Sequence, residues 1–355
     1  MKNILFNTTR QWNCGDEFFL FGVRNILNQL IENYNSIIYN RNPDVRAQRQ
    51  GIKIISVKKE HPKLEAIFNI GFKDNSLKYN TDCSFIDLAV FAGSPENFGN
   101  RNNNFYYHVK KNNIPTIYLG AGGYPSKKKL QKDIFLKSLF VSVRDKKLLE
   151  DPLYKQINAK YLPCSALLSA SREKQIKEVK NIALVFGVPL KYCVQHNCIS
   201  QATFDFICKL YKKLIQDFSD KYKFSIVCHY IDEMPLAHKL FDREKTEIFY
   251  SYDAKEYESI YSKFDFVISS RVHGCGMASS LGIPNINISH DFRSTTCDGF
   301  LSDYLHLDTD IASAIKQIEK NIANAPQKSA EIIKHKAETL KQYVKYLSNI
   351  PAIRK

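Results

Sequence analysis

One segment of the chain reads Phe264-Asp265-Phe266-Val267-Ile268-Ser269-Ser270-Arg271-Val272-His273-Gly274-Cys275-Gly276-Met277-Ala278. The apolar run that begins it predicts a buried strand over Phe264–Ser269, since strands of a parallel sheet are apolar on both faces. The small residues that end it predict a helix near Gly274–Leu281. A strand that passes directly into a helix is the repeating unit of α/β folds, and the segment therefore predicts that fold class.

The same alternation of short apolar runs and amphipathic segments extends in both directions along the chain. Before the segment, it predicts strands at Lys2–Asn7, Ile37–Tyr39, Ile52–Val57, Ile86–Ala92, Ile114–Leu119, Leu139–Val143, Tyr161–Leu162, Ile182–Phe186, Phe224–Cys228 and Glu247–Tyr250, and helices at Asp16–Tyr34, Gln201–Phe218 and Lys255–Lys263. After it, the pattern predicts a strand at Asn285–Ile288 and helices at Ile311–Ile322 and Ala330–Leu347. Strands that alternate with helices in this way favour a mostly parallel sheet in each half of the chain.

A polar segment rich in lysine and glutamate, Ser171–Lys180, lies between two series of strands and helices. The 355 residues of the chain suffice for two domains, each with its own core. We therefore predict an α/β fold of two Rossmann-like domains with a central cleft, the GT-B-like architecture. The N-terminal domain covers residues 1–170, and the C-terminal domain covers residues 171–325. Residues 326–355 form a C-terminal helix that packs back on the N-terminal domain.

The charge of the chain restricts its partners. Lysine and arginine number 51 against 36 aspartate and glutamate residues, which gives a formal net charge of +15. The basic residues are scattered and form no nucleic-acid motif, so we expect no nucleic-acid partner. A phosphorylated substrate, or peripheral contact with an anionic membrane, is the expected use of such a surface.

The nine cysteines indicate reduced thiols and no metal site. They contain no Cys-x-x-Cys pair, and an odd number of cysteines cannot form a complete set of disulfides. The start of the chain, Met1-Lys2-Asn3-Ile4-Leu5-Phe6, has too short an apolar run for a signal peptide. We expect a cytoplasmic protein, and leave open its oligomeric state and a contact with the inner face of the membrane.

Arg271 and His273 follow the predicted strand Phe264–Ser269 and lie at its carboxyl end. Ligands of parallel α/β sheets bind at that edge, and the N-terminus of a helix attracts phosphate or carboxylate groups. Arg271 can hold such a group through two hydrogen bonds, and His273 can donate a proton near neutral pH. Ser270 and Gly274 flank the pair, and Gly274 lets a ligand approach the backbone. Two plainer interpretations stay open: His273 caps the helix, or Arg271 forms a structural ion pair.

Several blocks of the sequence resemble one known family. They are Asn13-Cys14-Gly15-Asp16-Glu17 after the first strand, Leu119-Gly120-Ala121-Gly122-Gly123 and Ser142-Val143-Arg144-Asp145 in the middle of the chain, and Arg271-Val272-His273-Gly274 with Ala278 and Ser280-Leu281-Gly282-Ile283-Pro284. In this order, the blocks resemble the polysaccharide pyruvyl transferase family. The resemblance spans roughly residues 3–290, and the blocks carry it together rather than singly.

The resemblance implies a phosphoenolpyruvate donor, a sugar acceptor and a reaction that uses neither a metal ion nor another cofactor. The N-terminal domain would then lie on the acceptor side and the C-terminal domain on the donor side. The product would be a pyruvate ketal on the sugar, with release of phosphate. His273 is then the candidate general acid, and Arg271 and Arg144 are candidate cations for the carboxylate and phosphate of the donor. Asp16 would orient or deprotonate the sugar hydroxyl, although the first turn of a helix is often acidic because of the helix dipole alone.

Further substrate-binding candidates lie in loops that follow predicted strands. Asn13 and Gly15 shape the loop before the first helix, and Gly122 belongs to a tight loop in the middle of the chain. His290 and Arg293 follow the strand Asn285–Ile288, where a role in a surface loop is equally open. Each of these residues is expected to contact the donor or the acceptor.

Two loops depart from the pattern of the family. Pro95 and Glu96 stand in a loop where family members often have more glycine, and Pro163-Cys164-Ser165-Ala166 departs from the expected proline-and-aspartate pattern. Two other functions therefore stay open: a GT-B glycosyltransferase that uses a nucleotide sugar, and a non-catalytic relative that binds glycans. The residues do not determine whether the acceptor sugar is lipid-linked, polymeric or nucleotide-bound.

Overall fold

The computed structural model describes residues 1–8, 14–40, 82–92, 103–123, 129–192, 198–241 and 246–354. Predictions that concern Asn13, the strand Ile52–Val57 and the loop with Pro95 and Glu96 lie outside the described residues. Within the part of the chain that is described, no helix combines the length and the apolar character needed to cross a bilayer.

The chain folds into two compact units, each built on one sheet. Unit 1 consists of the described residues before Ala170 and those from Glu338 onward, and unit 2 runs from Ala170 to Ala337. In the described ranges, each sheet has six strands, and the pairs of neighbouring strands are parallel. Parallel neighbours require crossover connections, which the intervening helices supply. The predicted α/β class with two parallel sheets is confirmed.

The sheet of unit 1 is built from β1 (Lys2–Thr8), β2 (Tyr34–Asn40), β3 (Leu88–Ala92), β4 (Thr116–Ala121), β5 (Phe140–Val143) and β6 (Lys160–Tyr161). Its strand order is β2-β1-β3-β4-β5-β6. The described helices before residue 170 are α1 (Cys14–Asn28), α2 (Asn103–Lys111), α3 (Lys129–Leu136) and α4 (Pro152–Gln156), with 3-10 helices at Lys146–Glu150 and Ser165–Leu168. The central strands β3 and β4 are buried along their whole length, as strands covered on both faces must be.

Apolar residues pack on both faces of this sheet. On one face, the rings of Phe91 and Tyr118 stack with their centroids 4.0 Å apart. On the other face, Phe6 belongs to a buried cluster that includes Tyr343 near the C-terminus of the chain. The Tyr343 hydroxyl donates a hydrogen bond to the carbonyl of Pro163 at 2.8 Å. The C-terminal residues therefore help to form the core of unit 1.

The sheet of unit 2 is built from β7 (Asn181–Val185), β8 (Lys223–Val227), β9 (Glu247–Phe249), β10 (Phe266–Ser269), β11 (Asn285–Ser289) and β12 (Asp303–His306). Its strand order is β12-β11-β10-β7-β8-β9. The described helices are α5 (Gln201–Phe218), α6 (Met234–Leu240), α7 (Glu256–Tyr261), α8 (Val272–Ser280), α9 (Ile311–Ala323) and α10 (Ala325–Leu347), with 3-10 helices at Leu190–Tyr192, Ile231–Glu233 and Phe292–Phe300. Helix α5 begins where predicted, because the Ser200 hydroxyl accepts a hydrogen bond from the Thr203 N–H at 3.0 Å.

The first helix ends earlier than its apolar pattern predicts. The pattern predicts Asp16–Tyr34, but α1 ends at Asn28 and Tyr34 begins β2. Tyr34 lies opposite Lys2 in the parallel register of β2 and β1. The pairing of the two strands therefore outweighs the helical spacing of the apolar residues, which is a weaker and purely local preference.

Helix α10 belongs to both units. The predicted C-terminal segment begins at residue 326, whereas the two units divide between Ala337 and Glu338, inside α10. The first half of the helix is held in unit 2, where the Ser329 hydroxyl donates to the carbonyl of Gly282 at 2.7 Å. Hydrogen bonds between residues distant in sequence thus decide the division, and the local sequence of the helix does not indicate it.

Helix α1 packs directly on the 3-10 helix Ser165–Leu168 through Gly22. A Cβ atom at Gly22 would overlap with the backbone carbonyl of Ser165. Two hydrogen bonds join the same elements: the Ser165 hydroxyl donates to the carbonyl of Phe19 at 3.1 Å, and the Asn25 amide donates to the carbonyl of Leu168 at 2.8 Å. The position of the middle and last turns of α1 therefore depends on this contact.

We expect Gly22→Ala to lower the free energy of unfolding by about 2–4 kcal/mol, because the added methyl group pushes α1 off its neighbour. Urea denaturation followed by circular dichroism measures the change. The control is Asn28→Ala, an exposed position at the end of the same helix, which should change stability by less than about 0.5 kcal/mol. Equal stability of the two variants would contradict the proposed contact.

Candidate functional site

The turn between β10 and α8 carries the segment with Arg271 and His273. The Ser269 hydroxyl closes this turn: it accepts from the Arg271 N–H at 3.0 Å and donates to the Arg271 carbonyl at 2.7 Å. Arg271 occupies the N-cap position of α8, and His273 is the second residue of the helix. His273 is therefore not the N-cap residue, and both side chains lie where the strand gives way to the helix.

The Arg271 side chain is almost completely buried at the carboxyl edge of the sheet. One of its terminal nitrogens, Nη2, forms an ion pair with Glu233 Oε1, and 10% of the arginine side chain is exposed. The guanidinium carbon lies 5.0 Å from the centre of the Tyr230 ring, a cation–π distance. Gly187, in the loop after β7, lies against the same guanidinium group. The structure thus confirms the interpretation that Arg271 forms an ion pair.

The carboxylate of Glu233 is bound by backbone N–H groups as well as by Arg271. Glu233 lies in the 3-10 helix that follows β8, and its Oε2 atom accepts from the N–H groups of His229 at 2.7 Å and Tyr230 at 3.1 Å. Burial raises the pKa of Glu233, whereas the Arg271 guanidinium and these two N–H groups oppose the shift. Both carboxylate oxygens of Glu233 therefore have fixed partners.

His229 is a buried, neutral histidine at the end of β8. Its Nε2 atom shares a hydrogen bond with the Tyr261 hydroxyl at 2.8 Å. Burial lowers the pKa of His229 to about 3, and the nearby Arg271 guanidinium adds to the shift. Gly274 lies against the same Tyr261 hydroxyl, so the histidine and the start of α8 are parts of one packed group.

His290, Ser270 and Arg293 have partners within unit 2. The His290 ring donates from Nε2 to the carbonyl of Ser270 at 2.9 Å, and burial lowers the pKa of His290. The Ser270 hydroxyl points to the carbonyl of Val185 in β7 at 3.4 Å. Arg293 donates from Nε to Asp291 Oδ2 at 3.0 Å. The structure therefore places Ser270, Arg271 and His290 together and pairs Arg293 with an aspartate.

The order of the strands explains this grouping. The chain segments that follow β11, β10, β7 and β8 supply His290, Arg271, Gly187 and Glu233, and these four strands are consecutive neighbours in the sheet. Carboxyl ends of neighbouring parallel strands lie at one edge. The sequence interpretation missed Glu233 and Tyr230, although the polar run that follows Cys228 carries the same signal as the run that follows Ser269.

A second cationic group lies at the carboxyl edge of unit 1. Arg144 follows β5, and its N–H donates to the carbonyl of Ala121 at 3.1 Å. Its guanidinium carbon lies 5.0 Å from the centre of the Phe19 ring. The backbone of Gly122 touches the guanidinium so closely that a Cβ atom there would overlap with it. Glycine at position 122 is therefore required by Arg144.

Arg144 is buried without an acidic partner in the described part of the chain. It is 5% exposed, and its Nε atom makes no hydrogen bond to a described residue. Burial raises the pKa of the neighbouring Cys164 to about 11, although the Arg144 charge opposes the shift. The thiol is thus neutral and does not compensate the charge. A buried guanidinium of this kind is suited to an incoming anion.

The acidic residues Asp16 and Glu17 lie in the first turn of α1, two residues after its start at Cys14. Asp16 is half-buried, whereas Gly15 and Glu17 are buried. In the first turn, the acidic side chains of Asp16 and Glu17 can interact favourably with the helix dipole. The role of Asp16 toward an acceptor stays a prediction, as does the role of Gly15.

No metal centre is formed by the residues that the structure describes. Among them, no three or more histidine, cysteine, aspartate or glutamate side chains are grouped so that they could bind a metal ion.

The amino-acid sequence shows the family to which the chain belongs. A family model described as polysaccharide pyruvyl transferase matches residues 13–292. The chain belongs to this family. The matched range contains Asp16, Arg144, Arg271 and His273, so the pyruvyl transferase model covers both edges. Membership in this family supports polysaccharide pyruvylation as the general function. A search of curated proteins found no match to the sequence.

Solved structures with similar folds come from other enzymes. The UDP complex of S. aureus MnaA aligns over 99% of each chain, with 13% identity and a TM-score of 0.54. UDP-GlcNAc 2-epimerase from Methanocaldococcus jannaschii aligns over 94% of this pyruvyl transferase and 99% of its own chain, with 12% identity and a TM-score of 0.55. UDP-GlcNAc 2-epimerase from Neisseria meningitidis, bound to UDP-GlcNAc, aligns over 95% and 100%, with 10% identity and a TM-score of 0.50. At these identities the likeness shows the fold, and the GT-B-like class is confirmed.

His229 should make the stability of the pyruvyl transferase fall as the pH is lowered. The unfolded histidine takes up a proton near its usual pKa of about 6.5, whereas the folded one stays neutral to about pH 3. Stability is therefore present above about pH 6.5 and is lost toward pH 3, at up to about 1.4 kcal/mol per pH unit from this group. Urea denaturation of the wild type and His229→Gln at several pH values measures the difference. Parallel curves would contradict the assignment.

Proposed function

We propose that the chain transfers the pyruvyl group of phosphoenolpyruvate to a sugar of a polysaccharide or of its precursor. The proposed product is a pyruvate ketal, and phosphate is released. Membership in the family supports pyruvyl transfer. The observation that carries the choice of donor is Arg144, a buried guanidinium with no carboxylate partner among the described residues. Desolvated cations are stabilised by anionic ligands, and phosphoenolpyruvate carries both a carboxylate and a phosphate.

The proposed reaction begins with the enol double bond of the donor. A general acid protonates the methylene carbon, and the carbon that bears the phosphate becomes electrophilic. One sugar hydroxyl then attacks this carbon and loses its proton. The C–O bond to phosphate breaks, a second hydroxyl attacks the same carbon, and the ketal closes. The two hydroxyl protons restore the general acid and protonate the released phosphate, so that the reaction is balanced.

The residues of the two edges are assigned as follows in this proposal. His273, beside Arg271 at the start of α8, is the general acid. Arg271 and Arg144 bind anionic groups of the substrates, because a guanidinium matches the geometry of carboxylate and phosphate. Asp16 orients or deprotonates the sugar hydroxyl. The remaining substrate-binding candidates are Asn13, Gly15, Gly122, Ser270, Gly274, His290 and Arg293.

The acceptor class is proposed from chemistry and from similar folds. The solved structures with this fold include complexes with UDP and with UDP-GlcNAc. A nucleotide-bound sugar is therefore included with lipid-linked and polymeric sugars as a proposed acceptor. Incubation with phosphoenolpyruvate and each acceptor, read by mass spectrometry, tests the proposal. A gain of one pyruvyl unit supports it, whereas release of a nucleotide without pyruvylation would favour a glycosyltransferase.

Arg144→Met should separate activity from stability. Loss of the guanidinium should raise the KM for phosphoenolpyruvate by about 100-fold or more, since a charge-assisted anchor is removed. The thermal unfolding midpoint should stay unchanged or rise, because an uncompensated buried charge is also removed. Arg172→Met, an exposed arginine that pairs with Glu258, is the control and should keep the wild-type KM. A lower unfolding midpoint together with a wild-type donor KM in Arg144→Met would contradict the assignment.

His273→Asn should lower kcat by about 100-fold to 10,000-fold while the KM for phosphoenolpyruvate changes little. Asparagine keeps a polar side chain of similar size but cannot transfer a proton at neutral pH. Phosphate release in the presence of a working acceptor measures the change. His335→Asn provides the control, because His335 lies in α10 and donates from Nε2 to the carbonyl of Gly299 in the 3-10 helix Phe292–Phe300. An unchanged kcat in His273→Asn would exclude His273 as the general acid.

A further inference from the structure

The 3-10 helix after β8 places a buried carboxylate at the carboxyl edge of unit 2. Glu233 is the last residue of this helix, and 1% of its side chain is exposed. Its Oε2 atom is fixed by the N–H groups of His229 and Tyr230, at 2.7 Å and 3.1 Å. The remaining oxygen, Oε1, pairs with Arg271. The backbone therefore sets the position of the carboxylate before the arginine contacts it.

Arg271 is held by contacts of two kinds. Glu233 binds Nη2, and the Tyr230 ring lies 5.0 Å from the guanidinium carbon. Position 187 lies close to the group, since a Cβ atom added at Gly187 would lie 3.4 Å from Nη2. A guanidinium is planar, and its five N–H donors have fixed directions. Once Nη2 is held and one face is packed on a ring, the directions of the other donors are determined. The partners of Arg271 thus define its orientation at the edge of the sheet.

We propose that Glu233 is the positioning residue for Arg271 in donor binding. The proposal rests on the proposed function, in which Arg271 binds a carboxylate or phosphate of phosphoenolpyruvate. Glu233 itself contacts no substrate in this proposal; it fixes the plane of the guanidinium so that its other donors meet the anion without a further loss of side-chain freedom.

A contribution to the stability of the fold does not by itself explain the ion pair between Arg271 and Glu233. A buried salt bridge is often no more stabilising than apolar residues of the same volume, because both charges lose their hydration. The hydrogen bonds of Glu233 to two backbone N–H groups give it a single orientation, which a general stabilising role does not need. Burial lowers the pKa of His229, which supplies one of those N–H groups, so among the described residues of this cluster Arg271 carries the positive charge that faces Glu233.

Glu233→Gln tests the proposal, because glutamine has the same shape but lacks the charge and the second acceptor oxygen. We expect the KM for phosphoenolpyruvate to rise by about 10-fold or more and the KM for the acceptor to stay near the wild-type value. Glu247→Gln is the matched control: Glu247 pairs with Lys223 at 3.5 Å on the exposed edge strand β9, and its variant should behave as the wild type. A wild-type donor KM in Glu233→Gln would overturn the proposal.

A double-mutant cycle with Arg271→Lys separates positioning from a general structural effect. If Glu233 acts through Arg271, Glu233→Gln should have little further effect on the donor KM in the Arg271→Lys background. Additive effects on the donor KM would overturn the proposal. If Glu233→Gln does not fold, Glu233→Asp replaces it, since aspartate keeps the charge but is one methylene shorter. A wild-type donor KM in Glu233→Asp would also overturn the proposal.

A measurement on the wild-type protein tests the proposed function separately from the role of Glu233. A wild-type protein that releases no phosphate from phosphoenolpyruvate with any acceptor would exclude the proposed reaction. Crystal structures of the wild type and Glu233→Gln then decide the positioning role. A guanidinium that leaves the Tyr230 ring in the variant supports the proposal, and one that keeps its place overturns it.

Discussion

A buried guanidinium needs an opposite charge or a ligand, and this constraint governs both carboxyl edges of the protein. In unit 2, Arg271 meets it with Glu233, whose own position is fixed by backbone N–H groups. In unit 1, Arg144 is packed between Phe19 and Gly122, and no described carboxylate pairs with it. One arginine thus has a described carboxylate partner, whereas the other has none among the described residues.

The parallel sheet of unit 2 turns separate pieces of sequence into one cluster. Arg271, Gly187 and Glu233 come from segments that follow three adjacent strands, and no local signal joins them. Parallel order brings the carboxyl ends of these strands to one edge, where helix N-termini and free loops meet. The catalytic proposal for His273 depends on this arrangement, because the turn after β10 fixes where α8 begins.

Much of the fold could be predicted from periodicity. Helix α5 was predicted with its observed bounds from the helical spacing of its apolar residues, and the structure shows that Ser200 caps it. The end of α1 was missed, since the pairing of Tyr34 with Lys2 overrides the helical spacing before it. The strand-to-helix segment indicated Arg271 and His273 as candidates, and the structure places both at the carboxyl end of β10. Glu233 was missed although a polar run follows β8, because its ion pair with Arg271 joins residues that are far apart in sequence.

The amino-acid sequence by itself determined the α/β class, the strands and helices with strong periodicity, and the family to which the chain belongs. These properties depend on local patterns, which are present in the order of the residues. Only the tertiary structure decided which charges are paired: Arg271 with Glu233, Arg293 with Asp291, and Arg144 with no described acid. Electrostatic pairing depends on the distance between two charged side chains and on their burial. The order of the strands in the sheet sets both.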